Sequence, residues 1–222
     1  MKICLLTYDT AHKKTIEVFH GLNNLQKYDI SFLEVPFFPR PERKVLFRHR
    51  PQQFEGLKTR QIAEAYKFPF IHYDNRETAL ANNDYLIVCG ANILEEKFAK
   101  SGKIINGHAG LIPSVRGLDS FKWAITDMKP IGNTLHIIDE EADSGQVLSH
   151  LRTPLYSNDD LSSFAARHYQ NEIWLLTNFE WFLKNRNVLN LETTAPRKRM
   201  SMQREKVMVA QFESYKRKYA MQ

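Results

Sequence analysis

The chain has 222 residues, enough for one full hydrophobic core, and its 43% hydrophobic and 25% charged fractions exclude disordered and fibrous classes. No apolar run reaches about 18 residues and Met1 leads straight into a strand-like stretch, so neither a transmembrane span nor a signal peptide is expected. The net charge of +6 is local: residues 197–218 hold eight of the 31 basic and two of the 25 acidic residues, leaving a neutral body that argues against a nucleic-acid docking face.

Residues 2–7 read as a buried strand, and Ile16, Phe19, Leu22 and Leu25 recur at helical spacing over 12–26. Ile30, Phe32 and Val35 alternate as a second strand before Pro36, Pro39 and Pro41 open an irregular segment that runs to about Pro51. A helix is expected over 56–67, a short strand near 69–72, a helix over 76–82 and an apolar strand over 85–89. A further helix near 94–100 and a strand at 103–106 complete this part. Strands without alternation, separated by helices, predict an open, mostly parallel α/β sheet of the doubly wound, Rossmann-like kind. Cys4 and Cys89 fall inside predicted buried strands, so a reduced, cytoplasmic compartment is expected. Beyond 130, two antiparallel strands at 131–138 and 146–151 flank an acidic loop, and one long aromatic-rich helix covers 158–184. Trp174 and Trp181 on it are expected in the core or a dimer interface, and the basic tail as a short helix or arm on the surface. The expected organisation is a catalytic domain over 1–155 with a helical and hairpin appendage over 156–222.

The stretch that carries chemistry runs Asn106-Gly107-His108-Ala109-Gly110-Leu111-Ile112-Pro113-Ser114, continues through Arg116-Gly117-Leu118-Asp119, and ends in His136-Ile137-Ile138-Asp139-Glu140-Glu141-Ala142-Asp143-Ser144-Gly145. Asn106 and His108 lie two apart at the carboxyl end of a parallel strand, where open α/β sheets gather ligands and where both side chains share a side. An amide, an imidazole and a distant carboxylate suit acyl transfer: an oxyanion donor, a proton shuttle and an orienting group. Singly, each has a structural alternative: His108 as a bonded strand-end residue, Asn106 as a turn residue and Asp143 as a hairpin aspartate. His136 has the alternative of a packed strand residue.

The run NGHAGLIPSVRGLDSFKWAI followed by GNTLHIIDEEADSGQVL resembles the signature of the folate-dependent formyltransferases. The resemblance implies the formyltransferase fold, Asn106, His108 and Asp143 as catalytic positions, and N10-formyltetrahydrofolate as donor, with no metal. It implies a donor pocket from the loop Cys89, Gly90, Ala91, Ile93 and Leu94 and from Ile138, Asp139, Glu141 and Asp143.

Within the family, the glycinamide ribonucleotide branch cradles its phosphate with glycines after the first strand, whereas Thr7-Tyr8-Asp9-Thr10-Ala11-His12 has none. The methionyl-tRNA branch adds a large C-terminal domain, for which too few residues follow position 150. The remaining resemblance, to the sugar-nucleotide branch, implies a nucleotide-linked deoxyamino sugar as acceptor, a precursor of cell-surface polysaccharide, while the apolar face of the helix over 158–184 suggests a homodimer. Arg48 and Arg50, with Gly107, Arg116 and Gly117, are the candidate substrate contacts, since arginines suit a diphosphate. A glycinamide ribonucleotide formyltransferase, a formyl-folate hydrolase and a non-catalytic binding module are the alternatives. The hydrolase usually brings an extra N-terminal domain, whereas Met1 here begins at the first strand.

Overall fold

A computed structural model describes residues 1–38, 43–92, 94–139, 145–185 and 194–221. Strand β1 (Lys2–Tyr8) is followed by α1 (Lys13–Asn23), β2 (Asp29–Val35), α2 (Thr59–Ala65), β3 (Phe70–Ile71), α3 (Arg76–Asn82), β4 (Tyr85–Val88), α4 (Glu96–Ala99) and β5 (Ile104–His108). Then come α5 (Ser120–Thr126), β6 (Gly132–Ile137), β7 (Gln146–Arg152), α6 (Leu161–Thr177), α7 (Phe179–Lys184) and α8 (Met202–Tyr219). The seven strands lie in the order β3-β2-β1-β4-β5-β6-β7.

The pairs β1–β2, β1–β4, β2–β3 and β4–β5 are parallel, so the expectation of an open, mostly parallel sheet is met. Ile3, Cys4, Leu5 and Leu6 are all fully buried, the reason their run shows no alternation. Because β1 lies between β2 and β4, the order reverses there, and ligands of such sheets gather outside the strand ends at a reversal. Thr153 N–H donates to Ile131 O at 3.0 Å, which closes β6 and β7 as the antiparallel pair expected from the sequence. The acidic loop between them lies outside the described residues.

The chain forms two compact units. One comprises Met1–Arg40, Gln52–Asn106 and Ile137–Glu140; the other comprises Pro41–Pro51, Gly107–His136 and Glu141–Gln222. In the second unit Phe121, Ala124 and Ile125 of α5 share one apolar cluster with Phe164 and Ala165 of α6 and Met208, Phe212 and Tyr215 of α8. The tail is therefore core rather than a surface arm, with Met200 and Met208 fully buried. Its basic residues occupy the remaining faces of an amphipathic helix.

The single helix expected over 158–184 is two helices. Asn178 ends α6 at φ −107° and ψ 16°, outside helical geometry, with its backbone N–H and its side-chain amide both donating to Trp174 O, at 3.1 and 2.9 Å. Trp174 and Trp181, expected in a core or an interface, are 50% and 61% exposed.

Candidate active site

Strand β5 carries Asn106 and His108, as the spacing predicted. In the first unit, Asn106 stands in register with Val88 of β4. Beyond Val88, the Cys89 and Gly90 N–H groups both donate to Leu6 O, at 3.1 and 3.0 Å, which turns the chain sharply over the end of β1. A side chain at Gly90 would run into the Tyr8 ring at 2.7 Å and the His12 ring at 2.9 Å, so only glycine lets this turn lie beneath them. Ala91, Leu94 and Ile138 converge as half-buried apolar groups on the cluster of Cys4, Leu6, Leu33 and Leu86. The Cys89 and Gly90 amides are thus engaged within the turn, and the apolar residues expected at the donor pocket pack on the core of the first unit. Asp139 is half-buried nearby in sequence. Ile93, Glu141 and Asp143 lie outside the described residues.

In the second unit, His108 is buried, with Nε2 3.1 Å from Val115 O and 3.2 Å from Ser120 Oγ. The Ser120 hydroxyl donates to Gly117 O at 2.8 Å. Gly110 makes this closure possible, because a Cβ there would lie 2.6 Å from Val115 O and 2.8 Å from His108 Nε2. Thr134 Oγ1 donates to Gly110 O at 2.7 Å and accepts the Ile112 N–H at 3.0 Å, fixing the loop on β6. His136, on the same strand, is fully buried.

Gly107 faces α6, where a Cβ would stand 3.2 Å from Glu172 Cγ and from Leu176 Cγ. Glu172 is buried and ion-paired with Arg50, whose guanidinium lies 5.9 Å from the centre of the Tyr169 ring. His168, one turn back on α6, is buried with Nδ1 2.9 Å from Thr153 Oγ1. Burial brings its imidazole down to about 4, with Glu172 working against that shift.

The irregular segment before residue 51 is anchored by charge. Arg43 pairs with Asp119 at 2.8 Å and donates to Met200 O, and the Leu46 N–H donates to Glu205 Oε2 at 2.6 Å. Burial works against the Asp119 carboxylate, but the Met200 N–H and the Lys122 and Arg43 charges hold it below its ordinary range. His49 stacks on Phe121 with ring centres 6.1 Å apart, and burial, then Arg50 and Lys122, push its imidazole down to about 3.

Of the expected substrate contacts, Arg48 is exposed and Arg50 is held by Glu172. Arg116 is buried and donates to Thr194 O at 2.9 Å. Gly117 takes φ +88° and lies against the Arg197 backbone so closely that any side chain would overlap it. Ser120, Glu172 and His168 were not among the residues expected here. Their carboxylate, hydroxyl and imidazole sit in helices whose sequence gives no local sign of proximity to His108 or Gly107. Among the described residues no group of three or more His, Cys, Asp or Glu could hold a metal ion.

The architecture is an open, mostly parallel sheet with an Asn-x-His step at a strand's carboxyl end. Residues 75–179 match the family model for formyl transferase. Phosphoribosylglycinamide formyltransferase of Haemophilus influenzae is 31% identical over 109 residues, 46% of this chain and 51% of that protein. The chain thus spans about half or less of the length of the first curated relatives it matches. Among solved structures, a sugar N-formyltransferase from Shewanella sp. superposes with a TM-score of 0.63 at 17% identity, over 95% of this chain and 87% of that one. The formyltransferase PseJ from Anoxybacillus kamchatkensis superposes with a TM-score of 0.53 at 17% identity, over 90% of this chain and 84% of that one. Its structure holds UDP-4,6-dideoxy-4-formamido-L-AltNAc and tetrahydrofolate. At these identities the likeness establishes the fold.

Proposed function

We propose that the chain moves a formyl group from N10-formyltetrahydrofolate to the amine of a nucleotide-linked deoxyamino sugar. The donor supplies the carbon unit. A C–N bond forms on the acceptor amine, the bond to the folate nitrogen breaks, and one proton passes from the first nitrogen to the second. The Asn106 amide donates to the formyl oxygen as charge collects there, a role for which one donor contributes roughly 3 kcal/mol. His108 carries the proton between the nitrogens, and Asp143 orients the imidazole. Ala91, Leu94 and Ile138, with Ile93, Asp139 and Glu141, wall the donor pocket. Of the expected acceptor contacts, Arg48 is the exposed one and is assigned to the diphosphate.

One observation favours the amino sugar over a glycinamide ribonucleotide. In a glycine-loop cradle, the amino end of the helix after β1 offers its N–H groups to a phosphate. Here the first amide of α1, Lys13 N–H, donates to Gln53 O at 2.9 Å. His12 completes the closure, with Nε2 3.2 Å from the Gln53 side chain and Nδ1 2.8 Å from Thr15 Oγ1. The Gln53 segment therefore takes up the first amide of α1, one of the donors such a cradle would offer a phosphate, which supports the amino-sugar reading. Both cysteines are free and buried, in keeping with a reducing, cytoplasmic compartment, and a homodimer belongs to the same reading.

The test is a formyl-transfer assay with the folate donor against nucleotide-linked amino sugars, glycinamide ribonucleotide and no acceptor. Transfer to an amino sugar is the expected result. Transfer confined to glycinamide ribonucleotide overturns the acceptor assignment, and folate release without acceptor identifies a hydrolase instead.

A further inference from the structure

We infer that Ser120 and the Val115 carbonyl together lock the proton of neutral His108 on Nε2, making Ser120 a positioning residue for the imidazole. The inference rests on the reading of His108 as the proton-carrying imidazole. Two atoms meet Nε2, Val115 O at 3.1 Å and Ser120 Oγ at 3.2 Å. A carbonyl oxygen can only accept. A serine hydroxyl has one proton, and that of Ser120 goes to Gly117 O at 2.8 Å, so its oxygen presents lone pairs to the imidazole. Two acceptors on one ring nitrogen require that nitrogen to be the donor.

The lock is built from residues whose positions are themselves fixed. Val115 N–H closes a turn on Leu111 O at 2.9 Å, which aims the Val115 carbonyl back at the ring. Ser120 opens α5 immediately after Asp119, which sits at φ +56°. The Asp119 carboxylate holds that conformation by accepting the Met200 N–H at 2.9 Å and pairing with Arg43 at 2.8 Å. Nothing in the Asn-x-His spacing distinguishes the two ring nitrogens. The distinction comes from the loop that folds over Gly110, where the absence of a Cβ lets Val115 O and His108 Nε2 approach.

The test is nitrogen-detected NMR of the His108 imidazole in the whole protein labelled at histidine, with steady-state kinetics of Ser120→Ala and Ser120→Thr. In the unsubstituted protein the neutral ring is expected to show a protonated, pyrrole-type Nε2 and a pyridine-type Nδ1. A dominant Nδ1–H tautomer overturns the inference even if no activity is found, so the proposed reaction can fail separately. Ser120→Ala is expected to lower kcat about tenfold with KM little changed, as one lost hydrogen bond to a reacting group would. Ser120→Thr, which keeps the hydroxyl, is expected to recover most of that loss. Equal losses in both variants would mean that the hydroxyl fills space only, and would also overturn it.

Discussion

Lys122 of α5 and Glu205 of α8 meet at 2.6 Å, Nζ to Oε1, with side chains only 2% and 0% exposed. A buried pair of this kind is held in place by its other partners as much as by mutual attraction, because each charge has lost its water. Glu205 has them: it accepts the Leu46 N–H at 2.6 Å and lies 3.7 Å from Arg43. The pair therefore joins α5, α8 and the segment that bears His49 and Arg50. Removing one partner strands the other in the core, so Lys122→Met or Glu205→Gln alone is expected to cost about 3–5 kcal/mol in denaturant unfolding. The double replacement Lys122→Met with Glu205→Leu should recover much of that loss. Single losses below about 1 kcal/mol would show that water reaches the pair.

The charge-rich tail is expected to behave in the same experiment as core. Phe212 stacks near Phe164 with ring centres 6.3 Å apart and is only 5% exposed. Phe212→Ala should destabilise the protein by about 3–5 kcal/mol, whereas Lys206→Ala, on the exposed side of the same helix, should stay within about 0.5 kcal/mol. Equal and small effects would mean that α8 detaches without consequence.

That tail also marks the limit of what could be read from the sequence. The strands of the first unit were legible because Ile3 to Leu6 and Tyr85 to Val88 are apolar without alternation, and both-face burial leaves that pattern. The Asn106, His108 step was legible because strand position alone fixes it. In 202–219 the signal was present, with Met208, Phe212 and Tyr215 at the spacing of one helix face, but the basic residues between them drew attention to charge. The break at Asn178 comes from its backbone leaving helical geometry, and the residue type tolerates either outcome. Ser120 and Glu172 gain their roles only from tertiary contact, and no local pattern announces a hydroxyl beside an imidazole 12 residues away in the chain. The closure of the α1 amino end by Gln53 was half visible: the missing glycines were evident, and the loop that takes up the Lys13 N–H was not.

Removing the expected oxyanion donor should separate binding from chemistry. Asn106→Ala is expected to lower kcat by about 10²–10³ while leaving folate affinity, measured by fluorescence titration, nearly unchanged. A normal kcat would remove Asn106 from the reaction.

Acid should loosen the second unit through His168. An ordinary imidazole stands at 6.5, whereas burial brings this one to about 4, against the opposing charge of Glu172 and with Arg50 and His108 adding to the shift. Between these values the unfolded chain binds a proton that the folded chain refuses, so stability falls as pH is lowered from about 6.5 to about 4 and levels off below. His49, brought down to about 3, extends the same slope further into acid. Unfolding midpoints measured across pH 3 to 8 should show this decline, approximately as one group's worth less steep in His168→Gln. A flat profile in the unsubstituted protein would mean that His168 is charged in the folded state.

Gly110 offers the sharpest separation of fold from chemistry. Its backbone lies outside the left-handed region that glycine alone favours, so the cost of a side chain there is steric. The Cβ of Gly110→Ala would stand 2.6 Å from Val115 O, 2.8 Å from His108 Nε2 and 2.9 Å from Ser120 Cβ, and at least one of the three must yield. Two of these atoms are the acceptor and donor of the imidazole lock, while the fold around them is tied independently by Thr134 to Gly110 O and Ile112 N. Overpacking of this kind costs about 1–3 kcal/mol, which a domain of ordinary stability survives. Gly110→Ala is therefore expected to remain folded by circular dichroism and to lose activity well beyond the tenfold expected of Ser120→Ala. If activity stayed normal, the His108 ring would not need the position in which Val115 and Ser120 hold it.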